Sequence, residues 1–305
     1  METFVLLPFF LLSRVPSDAD TWRYGPEYTF TVNSNASTLE GHSVSCFKLV
    51  YSTLKCRPRD FDTLRCQFTT WSEIYEGKDG WFNAPFDITF VRQGIQSLVV
   101  PRDIDLWLLD MVRTFISQMN FGVELLHKPD GAFNAEEKSY LGQCESLVNV
   151  SREAHENNEV SKEKDYEIVP VAGLQKKRGE MLVIEKTRNL ENCVDKRPYM
   201  MSGDNTCIET GMVNKSRNSL TDLLSSRSQV EISDTGFNSY TENMVDITKE
   251  GITSSFHEKI GLRLYSVLPA KEALQPFSVA TMSVSPYALS EKEEQEFFMK
   301  KRERE

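Results

Sequence analysis

The chain lacks any apolar run long enough to cross a bilayer as a helix; the stretch at residues 4–12, Phe-Val-Leu-Leu-Pro-Phe-Phe-Leu-Leu, is too short for that. It lacks CxxC spacing, which removes the usual signal for a zinc ribbon or a thioredoxin-type redox site. Histidine is scarce: the four copies, His42, His127, His155 and His257, lie far apart. No HExxH, EF-hand loop, GxSxG, P-loop or GxGxxG occurs. Ser52-Thr53-Leu54-Lys55 fits SxxK, but it falls in a strand pattern instead of at a helix start and reads as a chance match. Acidic residues are plentiful, yet nothing singles out a catalytic pair. Excess positive charge is missing as well: the net charge of -10 argues against a nucleic-acid partner and leaves room only for local basic patches. Neither an enzyme nor a resident cofactor or metal is expected. There is no internal repeat and no long low-complexity tract.

What is present suits a globular, exported protein. With 305 residues, 40% hydrophobic residues and four tryptophans, the chain can bury a substantial core. The apolar run at residues 4–12 is followed by Ser17 and Ala19, placed like the small residues before a signal-peptidase cut, so residues 1–19 are expected to be a leader. The n-region, Met1-Glu2-Thr3, carries no cation, and a buried N-terminal strand is the alternative. No transmembrane anchor is expected, and the predicted location is secreted and extracellular. Six cysteines follow the leader, Cys46, Cys56, Cys66, Cys144, Cys193 and Cys207, an even number that the secretory pathway can oxidise. Sequons at Asn35, Asn149 and Asn214 point the same way.

Along the chain, residues 21–100 carry a strand pattern. Tyr28–Val32, Ser45–Tyr51 and Leu64–Trp71 alternate and are rich in aromatic and β-branched residues. Phe86–Val91 and Ile95–Val100 flank Arg92-Gln93-Gly94 as a hairpin. The period then changes. Ile104, Trp107, Leu108, Met111, Val112, Phe115, Ile116 and Met119 recur at helical spacing, which predicts one amphipathic helix over 103–120 with Asp103 as its N-cap. Its polar face is not basic, so packing against the sheet is a better reading than a lipid-surface helix. Residues 151–166 and 201–222 read as loops, and further strands are expected near 166–171, 181–188, 228–233, 244–247 and 262–268. Residues 286–305 form a charged tail that reads as the start of a helix. The fold class is α+β, mainly antiparallel β.

The segment from Leu182 to Cys193 is the most informative. It alternates so that Ile184, Lys186 and Arg188 fall on one face and Val183, Glu185 and Thr187 on the other. Lys186 and Arg188 then form a small basic patch, enlarged by Lys176, Lys177 and Arg178 just upstream, which would speed association with an acidic partner. The plainer reading is that these are solvated residues on an edge strand, where lysines deter aggregation. Cys46, Cys56 and Cys66, ten residues apart, can fall on neighbouring strands, and a pair among them can bridge, leaving the partner of Cys207 open.

Several of these segments, in this order, carry a resemblance. The opening Trp22-Arg23-Tyr24-Gly25-Pro26-Glu27-Tyr28-Thr29-Phe30 resembles the first strand of vitellogenins and the wider large lipid transfer protein family. Residues Phe86 to Asp103 resemble the family's hairpin leading into its helix, and Trp107-Leu108-Leu109-Asp110-Met111-Val112-Arg113 resembles that helix. Gly142-Gln143-Cys144-Glu145 is similar to a family glycine–cysteine element, and Lys186-Thr187-Arg188-Asn189-Leu190-Glu191-Asn192-Cys193 to its strand of two basic residues followed by cysteine. The similarity covers roughly residues 20–270 and is of insect-type flavour.

The resemblance implies a β-barrel, the N-sheet, over residues 20–285, enclosing one helix, and a disulfide between Cys144 and Cys193. It implies bound lipid and a lipid-transport or yolk-nutrient role. It also implies that Lys186 and Arg188 are offered to a vitellogenin receptor of the low-density-lipoprotein-receptor type, whose calcium-fixed acidic cages grip such cations. The chain is shorter than vitellogenins, with no polyserine tract and no large lipid-holding sheets. The rival expectation is therefore a truncated lipid-carrier paralogue or fragment with a structural or storage role and no independent receptor binding.

Overall fold

The computed structural model describes residues 3–6, 11–15, 20–38, 47–71, 84–91, 94–104, 106–125, 128–154, 166–170, 174, 176–194, 220–249 and 252–287. A hairpin of β1 (Thr3–Leu6) and β2 (Leu11–Val15) comes first, followed by β3 (Pro26–Thr38), β4 (Phe47–Pro58), β5 (Thr63–Trp71), β6 (Phe86–Val91) and β7 (Gly94–Pro101). Helix α1 (Leu106–Ile116) runs on into a 3-10 turn, Ser117–Met119. Strands β8 (Gly131–Ser139), β9 (Gly142–Ala154), β10 (Glu167–Pro170), β11 (Glu180–Val194), β12 (Leu220–Ile232), β13 (Phe237–Lys249), β14 (Ile252–Pro269) and β15 (Thr281–Val284) complete the order. All strand pairings are antiparallel.

Twelve strands form one sheet in the order β15-β7-β6-β5-β4-β3-β14-β13-β12-β11-β9-β8, and β1-β2-β10 form a second, smaller one. Among the described residues the antiparallel β class with a single α-helix is as the sequence predicts. Closure into a barrel is not: among the described residues β15 and β8 end the order without pairing to each other. The expected leader supplies β1 and β2, and β2 pairs with β10 through Glu167↔Arg14 to Pro170↔Leu11.

Strict alternation puts the core on one face. On β3 the inward positions are Tyr28, Phe30, Val32, Ser34 and Ala36, all buried, while Thr31, Asn33 and Asn35 point outward. Against this inner face lies α1. The helix packs on the sheet as the sequence predicts: Leu108, Leu109, Met111, Val112, Phe115 and Ile116 are buried, and its cation Arg113, expected on the polar side, is buried with them. A buried guanidinium must find its partners inside the protein: Arg113 donates to Asp110 Oδ1 at 3.0 Å and to Ser285 O at 3.0 and 3.1 Å. Phe115 meets the Phe68 ring edge-on with centroids 6.0 Å apart. Each fully buried large apolar side chain here contributes roughly 1.5–3 kcal/mol.

The helix also starts later than predicted. Asp103 lies in a turn before it and does not cap it. Residues 151–154, read as the start of a loop, extend β9, and 220–222 belong to β12. The hairpin β8–β9 and the short β15 carry no clear periodic signal in the sequence. The charged tail beyond Tyr287 lies outside the described residues.

Candidate functional site

Strand β11 is flanked by β9 on one side and β12 on the other, so it is a central strand and not an edge. Its inward face begins with Leu182 and Ile184, which are fully buried. The period of two then carries Lys186 and Arg188 inward as well, while Glu185, Thr187 and Asn189 are exposed. The alternation predicted from sequence is right and the face assigned to solvent is wrong. Neither the exposed basic patch nor the solvated edge strand describes this pair.

Burying two cations requires a counterion, and Glu137 on β8 supplies it. Glu137 Oε1 accepts from Lys186 Nζ at 2.6 Å and from Arg188 Nη2 at 2.8 Å. Its Oε2 accepts from Ser146 Oγ at 2.9 Å. Lys186 Nζ also donates to Phe121 O at 2.8 Å and Asn120 O at 3.4 Å, and Arg188 Nη1 donates to Ser226 Oγ at 2.8 Å and Ser228 Oγ at 2.9 Å. Burial alone would push Glu137 upward, but the charges and hydrogen bonds of Arg188 and Lys186 outweigh it and hold the carboxyl at about 2. Burial pushes the Lys186 ammonium down, partly offset by Glu137.

The network continues along the interior. Ser228 Oγ lies 2.9 Å from Thr241 Oγ1, which exchanges hydrogen bonds with Gln118 in the 3-10 turn at 3.1 and 3.2 Å. A second buried carboxylate, Glu258, accepts from Asn243 Nδ2 at 3.2 Å, and the same amide reaches Tyr140 Oη at 3.3 Å. Burial and the nearby Glu258 push the Tyr140 phenol strongly up. The sheet interior is therefore partly ionic and hydroxyl-lined, with its charged groups held in a fixed hydrogen-bonded network.

The upstream cations divide. Lys176 is ion-paired with Asp234, whose other oxygen accepts from Gly179 N–H at 2.8 Å; Lys177 and Arg178 are exposed at the turn into β11. Cys144 and Cys193, register partners on β9 and β11, are bonded, as are Cys56 and Cys66 on β4 and β5. Cys46 and Cys207 lie outside the described residues, as does Asn214. Asn35 and Asn149 are half-exposed on strands, and Asn149 Nδ2 donates to Glu185 Oε2 at 3.1 Å. Among the described residues no three His, Cys, Asp or Glu side chains form a group that could hold a metal, and no helix is long and apolar enough to cross a membrane.

Sequence reasoning missed Glu137, Ser146, Ser226 and Ser228. The available signal was the shared parity of Leu182, Ile184, Lys186 and Arg188, which demands a buried acid somewhere; nothing local names Glu137.

The fold and the order of its segments have counterparts. A solved structure of lipovitellin, studied for its lipid–protein interactions, superposes with a TM-score of 0.54 at 13% sequence identity, covering 85% of this chain and 27% of that one. This chain thus spans about a quarter of the lipovitellin chain's length, and at that identity the likeness establishes the fold. The model of the vitellogenin N-terminal domain family matches residues 68–261, more than half of the chain, a span that includes α1, Glu137 and the Lys186–Arg188 strand. The chain belongs to the vitellogenin N-terminal domain family.

Proposed function

We propose that this chain is a secreted, vitellogenin-like protein of the lipid-transport and yolk-nutrient class, of insect-type character and without catalytic activity. Family membership over residues 68–261 is the observation that carries this reading. In the proposed domain plan, residues 1–19 are removed as a leader, 20–285 form the N-terminal sheet domain and 286–305 lead into further helix. Cleavage after Ala19 takes away β1 and β2 and with them the partner of β10, so N-terminal sequencing of the exported chain tests the plan directly. Glycans at Asn35, Asn149 and Asn214 and bound lipid belong to the same reading. Lipid extracted from the purified, exported chain, quantified per mole of protein, tests carriage; an absence of lipid above the level of a control secreted protein sinks it.

Recognition by a receptor of the low-density-lipoprotein-receptor type is the finer part. Such a receptor needs exposed cations, and of the five basic residues expected to serve, Lys177 and Arg178 are the exposed ones. Lys186 and Arg188 are committed to Glu137 in the interior and are not offered to a partner. Receptor-domain binding with and without calcium, compared between wild type and Lys177→Glu/Arg178→Glu, is the test; unchanged affinity in the variant rejects this surface. The burial of Lys186 and Arg188 favours the second reading, a structural or storage role with no independent receptor binding.

A further inference from the structure

Strand β15 pairs with only the far part of β7, Leu98 to Pro101, so among the described residues Gly94 to Ser97 has no strand beside it on that side. Strand β8 is the last strand at the other end of the sheet order. Edges of this kind present unpaired N–H and C=O groups and invite pairing with another chain. Here both are occupied by the segment that follows the 3-10 turn. Ile95 N–H donates to Asn120 Oδ1 at 3.1 Å, and Asn120 Nδ2 donates to Lys138 O at 2.9 Å. Lys138 N–H donates to Gly122 O at 3.0 Å, and Tyr287 Oη donates to Ile95 O at 3.2 Å. A single carboxamide, with an acceptor and donors a fixed distance apart, thereby imitates a strand for both edges.

The surroundings are shaped for this. A Cβ on Gly94 would collide with Asn120 Oδ1, and one on Gly122 would collide with Lys138 O. Both glycines sit at positive φ, +151° and +71°. From the interior, Lys186 Nζ holds the carbonyls of Asn120 and Phe121, and Gln118 anchors the turn through Thr241.

We infer that Asn120 is a clasp joining β7 to β8, with Lys186 and Glu137 as its lock. The clasp closes around α1 what the strand order leaves open. It rests on a few side-chain hydrogen bonds and one isolated backbone bond, where the other junctions of the large sheet rest on backbone ladders, so it is the junction at which the interior opens first. This inference is independent of the lipid and receptor readings.

Residue-resolved amide exchange on the full chain tests it. In wild type, Ile95 and Lys138 amides exchange slowly although neither faces a strand. Asn120→Ala raises exchange at Ile95 at least tenfold while amides of the β13–β14 ladder keep their rates. Asn120→Asp retains the acceptor for Ile95 and loses the donor to Lys138 O, so it leaves Ile95 protected. Gly94→Ala displaces the carboxamide and reproduces the Asn120→Ala pattern. Unchanged exchange at Ile95 in folded Asn120→Ala overturns the clasp. If the variants do not fold, fast exchange of Ile95 and Lys138 in folded wild type overturns it and slow exchange supports it.

Discussion

Lys186 Nζ stands 2.6 Å from Glu137 Oε1, and the two side chains are only 2% and 1% exposed. Arg188 shares the same carboxylate oxygen with its side chain 4% exposed. One acid therefore serves as shared counterion to two cations, two residues apart, on a central strand. The residues that looked most available to a partner are among the most enclosed in the molecule.

Removing Glu137 strands both cations in the interior. Glu137→Gln is expected to cost about 3–5 kcal/mol, because breaking a buried pair leaves uncompensated charge. Lys186→Met in the same background removes one of the stranded charges and recovers part of the loss. Urea unfolding of the two single variants and the double variant measures the coupling. Additive losses would mean that the pair is not a unit.

The same acid predicts a pH dependence. Its folded value, about 2, lies below the ordinary 4.5, so the stability it confers is fully present above about pH 4.5 and disappears as pH falls towards 2. A shift of this size corresponds to about 3 kcal/mol. Glu137→Gln lacks this titration and should show a flatter stability profile between pH 5 and 2. Identical slopes for wild type and variant in that window would remove Glu137 from the account.

Charge reversal separates architecture from docking. Lys186→Glu places two carboxylates together in the interior and is expected to unfold the β8–β9–β11 region, with loss of circular-dichroism amplitude. Lys177→Glu/Arg178→Glu changes only exposed side chains and is expected to shift stability by less than about 0.5 kcal/mol. A folded Lys186→Glu protein of native stability would contradict the buried geometry.

These contrasts show what was legible beforehand. Alternation at Ile184, Lys186 and Arg188 was readable, as were the β6–β7 hairpin and the helix, because each depends on local period. Which face of β11 meets solvent depends on strands that flank it from distant sequence, and charge suggested the wrong one. Residues 131–139 gave no strand signal: Ala135-Glu136-Glu137-Lys138 suits a helix at least as well, and pairing with β9 overrides that preference. The Cys144–Cys193 bridge was named through family resemblance, whereas Cys56–Cys66 was one of several pairings the spacing allowed. Closure at Asn120 had no signal, since a carboxamide standing in for a strand has no periodicity.

The two described disulfides should differ in weight. Cys144–Cys193 spans 49 residues and Cys56–Cys66 spans 10. Chain entropy gives ~4 kcal/mol for the longer loop and ~3 kcal/mol for the shorter. Paired Cys→Ala variants compared by chemical unfolding test the ranking. Loss of the first should also raise amide exchange at the end of β11, next to the ionic cluster, whereas loss of the second should leave that region unchanged.

A third buried acid, Asp87, fixes the strap between β14 and β15. Asp87 on β6 accepts from Arg65 Nε at 2.6 Å and Nη2 at 3.0 Å, and from Arg59 Nη1 at 2.5 Å. Held in this fork, Arg65 donates through Nη1 to Gln275 O at 2.5 Å and lies over the Phe277 ring at 3.9 Å; Arg57 reaches Glu272 O at 2.7 Å. Asp87→Ala removes the group that aims Arg65, so the strap should loosen before the sheet does. Limited proteolysis is expected to cut within residues 271–280 faster than in wild type, with unfolding free energy lower by about 3 kcal/mol. Arg65→Lys keeps the charge but loses both the fork and the stacking plane, and should release the strap with a smaller loss of stability. Unchanged cleavage in both variants would assign the strap's order to other contacts.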